Sequence, residues 1–169
     1  MKNTTCFPGS ADERGEATHS TQADMNVKLD DLVLAHEWVS ADAGGDNEAC
    51  VCPASGAIHY FEAGVPVDPD SPVLAALEET CVAVPGKWTL DLGKHLALRF
   101  VRMQLPQAEQ DVRECFRHRG AYSRFKRLLE REGKLRAWYA FEEAAVNEAL
   151  LAWAETHGIS VEADGGPAA

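Results

Sequence analysis

The β-structure of this chain is predicted by residues 49–61, which read ACVCPASGAIHYF. Two short apolar runs flank the tetrapeptide at residues 53–56, and this arrangement is typical of a β-hairpin. Pro53 presets its own φ, and Gly56 can adopt the positive φ that a tight turn needs. Residues 81–84, which are apolar and partly β-branched, stop at Pro85 and predict a third strand.

Helical patterns lie on both sides of this hairpin. Apolar residues recur on one helical face after Leu29, and Ser71 followed by Pro72 predicts the N-cap and first residue of a short helix. From Asp91 onward the apolar spacing is helical, with breaks at glycines 120, 133 and 158. Residues 159–161 are a candidate edge strand. The fold class is therefore α+β, with a short antiparallel β-hairpin or sheet in the N-terminal half and a helical C-terminal half.

The patterned region, residues 26–161, predicts a single α+β domain. Residues 1–25 are polar and without periodicity, so we expect a disordered tail, with Met25 as a candidate native start. Residues 162–169 are expected to fray. No apolar run reaches the roughly 18–20 residues that span a bilayer, and the N-terminus lacks the apolar core of a signal peptide. We therefore expect a soluble, cytoplasmic protein that makes no membrane contact.

Five cysteines without a C-x-x-C pair are expected to be reduced and mostly buried thiols. A zinc site is the alternative, because Cys50 and Cys52 share one face of a strand while Cys115 and His118 share one face of a helix. The C-x-C spacing is strained for one ion, since paired zinc ligands usually have two or more residues between them. The sequence therefore indicates no metal and no cofactor.

Motifs for catalysis are absent from the sequence, which has no phosphate-binding glycine loop, no G-x-S-x-G and no H-E-x-x-H. Asp91 and His95 lie four residues apart and could form an acid–imidazole pair, and Cys115 could pair with His118 as nucleophile and base. A surface ion pair or a half-buried core histidine explains the first pair equally simply. A non-catalytic protein is the expectation, with a His-dependent enzyme as the alternative.

A basic segment stands out from a chain whose net charge is −11. Residues 99–136 contain 11 Lys and Arg against 5 Asp and Glu, whereas the remainder contains 5 against 22. Aromatic residues are interleaved with these cations, although Tyr122 and Phe125 lie at core spacing. The candidate binding residues are Arg113, Arg117, Arg119, Arg124, Lys126 and Arg127.

Three interpretations of this basic face stay open. Its cations could be solvated or paired internally. The candidate partners are Glu142, Glu143 and Glu148 on the last helix and Asp30, Asp31 and Glu37 on the first. They could bind an acidic protein partner, or they could track nucleic-acid phosphates. The acidic remainder of the chain disfavours nucleic acid among these partners. The sequence thus predicts a binding or regulatory domain that uses the face between Arg113 and Arg136.

Three further stretches carry a resemblance to a known bacterial group: FRHRGAYSRFK at residues 116–126, WYAF at 138–141 and WAETHGI at 153–159. With ASGAI at 54–58 and VKLDDL at 27–32, the chain resembles uncharacterised protein family 0158 of the UPF series over about residues 26–161. The hairpin departs from that pattern, because Cys50 and Cys52 stand where the family usually has aromatic or acidic residues. The resemblance implies no activity and no catalytic residues, since the family has none assigned.

Overall fold

The computed structural model describes residues 26–41 and 44–162, so the predictions for residues 1–25 and 163–169 lie outside the described part. The chain is α+β, as predicted from the hairpin and the helical second half. The elements are β1 (Val27–Lys28), α1 (Leu29–Ala41), β2 (Asn47–Val51), β3 (Ile58–Glu62), β4 (Val65–Pro66), α2 (Leu74–Leu77), β5 (Val82–Ala83), α3 (Lys94–Gln104), a 3-10 turn (Pro106–Ala108), α4 (Glu109–Cys115), α5 (Ala121–Arg131), α6 (Leu135–Thr156) and β6 (Val161–Glu162).

The predicted hairpin forms the centre of a four-stranded antiparallel sheet with the order β4-β3-β2-β5. Gly56 has φ +69°, and its N–H donates to the carbonyl of Cys52 over 2.8 Å, which closes the turn. The third strand is present as β5, whose Ala83 lies opposite Cys50. The turn chemistry read from Pro53 and Gly56 is therefore confirmed.

A second, parallel pair of strands joins the two ends of the described chain. Val27 of β1 lies opposite Val161 of β6, and Lys28 lies opposite Glu162. The candidate strand at residues 159–161 is confirmed only at Val161, because the observed strand is Val161–Glu162 and extends one residue past the predicted end of the domain. Its partner β1 went unpredicted because a two-residue strand shows no periodicity.

Two helix starts differ from the prediction. The short helix begins at Leu74 rather than at Pro72, and its N-cap is Val73 rather than Ser71, whose hydroxyl bonds to His59 Nδ1 over 2.6 Å. Similarly, α3 begins at Lys94, after Asp91 has taken a left-handed conformation with φ +55°. In both places a tertiary or backbone constraint outweighed the local helical pattern.

Two hydrophobic clusters share α6. The larger cluster surrounds Trp138, which is fully buried and lies with its ring 5.4 Å from that of Phe100 and 4.9 Å from that of Phe125. The second cluster packs α1 and the sheet against Leu150 and Ala154 of α6. Because one helix belongs to both clusters, the sheet half and the helical half are fixed to each other.

Candidate functional site

The predicted basic residues do not form one continuous cationic surface, because some of them are paired with carboxylates. At α4, Arg113 pairs with Glu109 over 2.7 Å, and Arg117 pairs with Glu114 over 2.9 Å. Hydrogen bonds from Arg102 and Arg113 hold the pKa of Glu109 below its usual value. The carboxylates that pair with Arg113 and Arg117 thus lie within α4 itself, whereas the sequence had suggested carboxylates of α1 and α6.

A row of arginines remains exposed on α5. It consists of Arg124, Arg127 and Arg131, which are spaced three and four residues apart and therefore share one helix face; we call it the arginine row. Together with Asp111, Cys115 and Leu128, these side chains line an open groove of about 400 Å³ between α4 and α5. The arginine row is therefore a cationic surface next to the apolar side chains of Cys115 and Leu128.

The other two predicted binding residues lie away from this row. Arg119 is exposed in the turn before Gly120, where φ is +73°. Lys126 instead lines a different cleft, and its Nζ lies 5.2 Å from the centroid of the Tyr139 ring. Of the six residues of the predicted face, Arg124 and Arg127 line the groove, and the other four do not.

The aromatic residues of the basic segment belong to the core. Phe125 is fully buried, and Phe116 packs against Phe125 and Tyr122 with ring centroids 5.9 Å and 5.2 Å away. This agrees with the core spacing seen in the sequence. The segment therefore does not present Phe116, Tyr122 and Phe125 as a platform on which nucleic-acid bases could stack.

The cysteine prediction is corrected at two positions, because Cys52 and Cys81 form a disulfide. Cys50 is a buried free thiol, and burial raises its pKa. Cys115 is half-buried in the groove beside the arginine row. Among the described residues, no group of three or more His, Cys, Asp or Glu side chains is arranged to hold a metal ion, so the Cys₃His set is not assembled.

The two histidine pairs considered for catalysis are also separated from each other. His95 Nδ1 contacts Asp91 at 2.8 Å, but both side chains are more than 70% exposed (73% and 72%), as expected for a surface ion pair. His118 Nε2 contacts Glu114 at 3.1 Å instead of Cys115. Both histidines are therefore exposed side chains that contact surface carboxylates.

A cleft that the sequence analysis missed lies where α1, α5 and α6 meet the segment after β5. We call it the α1–α6 cleft; its volume is about 520 Å³. Its lining comes from four parts of the chain and combines acids, bases, hydroxyl groups and apolar side chains: Val33, His36, Glu37, Ser40, Lys87, Leu92, Tyr122, Lys126, Tyr139, Glu142, Glu143, Val146 and Asn147.

His36 is the most deeply buried polar residue of the cleft, at 4% exposure. Its Nδ1 donates to the carbonyl oxygen of Pro85 over 2.7 Å, so in the neutral ring Nε2 is the acceptor nitrogen. Burial lowers the pKa of His36, and the nearby Lys87 adds to this effect. The ring is therefore held neutral, with one tautomer selected.

Glu142 lies at the centre of the charged groups in the cleft. Burial raises its pKa, while Lys126, the Trp138 N–H and Lys87 act in the opposite direction. The Trp138 N–H lies near this carboxyl without reaching hydrogen-bond geometry and is a buried donor with no partner among the described residues. Burial together with the charge of Glu142 raises the pKa of Tyr122 to about 12.

One sequence signal could have indicated this cleft. Leu32, His36 and Ser40 follow one another at four-residue intervals on α1, so two polar side chains continue a core-facing stripe. A polar residue in such a stripe is either bonded internally or functional. Its partners on α5 and α6 are too distant in sequence for a local pattern to identify.

Comparisons with known proteins give no relatives: no family model, no curated protein and no solved structure matches the chain. Within the described residues, no helix combines the length and the apolarity that a membrane crossing requires.

Proposed function

We propose that this protein is a binding or regulatory domain that docks an acidic protein segment on the arginine row. The observation that carries the proposal is the contrast between α4 and α5. Arg113 on α4 and Arg117 just after it are paired with carboxylates of α4 at 2.7 Å and 2.9 Å. On α5, Arg124 makes no ion pair with any described residue, and Arg127 bonds only to the carbonyl of Ser123 over 3.4 Å.

Geometry supports a carboxylate-bearing partner. Each guanidinium presents a planar fork of donors that matches a carboxylate bidentately. Three forks on one helix face fit acidic side chains spaced along an extended or helical segment. Arg131 contacts Glu132 only at 3.5 Å, a weak exposed pair that a better acceptor can displace.

The charge distribution of the chain favours an acidic protein segment over nucleic acid as the partner of the arginine row. The net charge of −11 repels a polyphosphate at long range, whereas a short acidic segment feels mainly the local field of the row. The base-stacking surface that single-stranded nucleic acids use is also lacking here, because Phe125 is fully buried.

A binding titration tests the proposal. Fluorescence anisotropy at low salt would compare a labelled oligo-glutamate peptide with a single-stranded oligonucleotide of equal charge. We expect saturable peptide binding that weakens as salt rises and is lost in the variant Arg124→Glu/Arg127→Glu/Arg131→Glu.

Arg124→Glu alone should also weaken peptide binding. Its matched control is Arg136→Glu, which likewise exchanges one arginine for one glutamate, at an exposed position on α6 outside the row. Its peptide affinity should stay near that of the wild type. Binding of the oligonucleotide in preference to the peptide would replace this proposal with the nucleic-acid alternative. Absence of binding to both ligands would refute the arginine row as a docking surface.

Two further statements belong to this proposal. Membership of uncharacterised protein family 0158 rests on the stretches at residues 116–126, 138–141 and 153–159, and it supplies no activity. A cytoplasmic location stays part of the proposal, and fractionation of cells that express a tagged chain tests it. The Cys52–Cys81 disulfide opposes it, because cytosolic reductants keep most thiols reduced.

A further inference from the structure

We propose that the α1–α6 cleft is a binding site for a small aromatic carboxylate that carries a hydrogen-bond donor at its opposite end. This site is independent of the arginine row, which lines a different groove. Its volume of about 520 Å³ is within the range of small-molecule sites in proteins.

The two lysines of the cleft account for the anionic group of the ligand. Lys126 Nζ lies 5.2 Å from the Tyr139 ring centroid, and Lys87 Nζ lies 5.2 Å from that of Trp88. Within the described residues, neither ammonium group makes an ion pair with a carboxylate, although Glu142 lines the same cleft. Both cations rest on aromatic faces, so a ligand carboxylate can engage them without first breaking a salt bridge.

The side chains that line the cleft favour a ligand with an aromatic ring. Tyr122 and Tyr139 contribute rings, while Val33, Leu92 and Val146 contribute aliphatic surface. Tyr139 is 45% exposed, so part of its ring is open to a ligand that enters the cleft. A planar ring entering beside Tyr139 would cover this surface and gain stacking contacts.

Two hydrogen-bond acceptors in the cleft could bind the donor group at the opposite end of the ligand. His36 is fixed by the bond from its Nδ1 to Pro85, so Nε2 can only accept while the ring is neutral. Glu142 adds a half-buried carboxyl that makes no ion pair with any described residue. A hydroxyl or amino group on the ligand would satisfy one of these acceptors, and it would offset the cost of their burial.

The charges that line the cleft are consistent with a ligand that has an anionic group at one end and a hydrogen-bond donor at the other. Three carboxylates and two ammonium groups line it, and Glu37 and Glu143 are exposed at its edge. A simple dianion would meet repulsion from the carboxylates, and a simple cation would meet repulsion from the lysines. A molecule with an anionic end and a donor end avoids both.

The test uses 4-hydroxybenzoate as the probe and its neutral counterpart 4-hydroxybenzamide as the ligand control. Backbone amide shifts of the full chain would be followed by NMR during each titration. We expect saturable shifts for 4-hydroxybenzoate at Val33, Tyr122 and Val146, and about tenfold weaker binding of the amide, since it lacks the charge that the lysines recognise.

Matched variants complete the design. Lys126→Met keeps the aliphatic stem and removes the ammonium group inside the cleft, whereas Lys94→Met makes the same change at an exposed position on α3. Binding of 4-hydroxybenzoate should weaken about tenfold in Lys126→Met and stay unchanged in Lys94→Met. The proposal is overturned by wild-type shifts that do not saturate or that cluster outside the cleft. Equal affinity for acid and amide, or equal effects of the two variants, would overturn it as well.

Discussion

His36 donates a hydrogen bond from Nδ1 to the carbonyl oxygen of Pro85 over 2.7 Å, and this bond fastens α1 to the segment after β5. Ser40, one turn later, accepts a second bond from the N–H of Lys87 over 2.9 Å. Two side chains of one helix thus position the loop that contributes Lys87 to the α1–α6 cleft. The wall of the cleft is built by the same contacts that join the helix to the sheet.

Stability should depend on the protonation of His36. Its pKa is lowered in the folded state from 6.5, so the folded protein resists a proton that the unfolded chain accepts. The stability that the neutral ring contributes is present above pH 6.5 and is lost as the pH falls from there through the lowered pKa of the folded state. The charged neighbours Glu37 and Lys87 act on the same equilibrium.

Urea denaturation of the wild type and of His36→Gln at several pH values measures this effect. The difference in unfolding free energy between the two proteins should shrink as the pH falls below 6.5. A difference that does not change with pH would show that His36 titrates alike in both states.

Glu142 is expected to lower stability at neutral pH. Because burial raises its pKa, the folded state holds a proton to higher pH than the unfolded chain, and stability falls as the pH rises above the ordinary value of 4.5. Glu142→Gln should therefore raise the melting temperature at pH 7, with the gain fading in acid. Glu143→Gln, at an exposed neighbouring position, should shift stability by less than about 0.5 kcal/mol. A lower melting temperature for Glu142→Gln would contradict this account.

The Cys52–Cys81 disulfide should contribute strongly to stability. It closes a loop with a sequence separation of 29, for which the loss of unfolded-chain entropy corresponds to about 3–4 kcal/mol. Cys81→Ser should lower the free energy of unfolding by about that amount. Reductant should destabilise the wild type and leave Cys52→Ser/Cys81→Ser unaffected. Differential alkylation and mass spectrometry in cells would report whether the bond is closed there; free thiols at both positions in air-exposed purified protein would contradict it.

Gly120 sets the turn between α4 and α5. Its φ is +73°, and a Cβ added there would meet no atom within 4 Å, so the cost of substitution comes from the backbone alone. Gly120→Ala should destabilise the protein by about 1 kcal/mol, and Gly120→Asn by less, because Asn tolerates the left-handed conformation better. Thermal denaturation of both variants checks this order. Equal losses would point to a cause other than φ.

The parts of the fold that local chemistry determines were predictable from the sequence. Pro53 and Gly56 specify the hairpin turn, and Gly120 and Gly158 mark helix ends with φ of +73° and +67°. The candidate sites were less predictable, because spacing alone did not show that Glu109 and Glu114 would pair with the arginines of α4. The α1–α6 cleft depends on contacts between residues distant in the chain, and the same holds for the pairing of Cys52 with Cys81.

The parallel pairing of β1 with β6 has a consequence for the order of folding. Val27 cannot find its partner Val161 until nearly the whole described chain has been synthesised. The apolar side of α1 is completed by Leu150 and Ala154, which also emerge late from the ribosome. The hairpin and the α3–α5 helices can form earlier from nearby contacts. We therefore expect α6 and β6 to dock last during synthesis, onto α1 and the sheet, as the step that closes the domain.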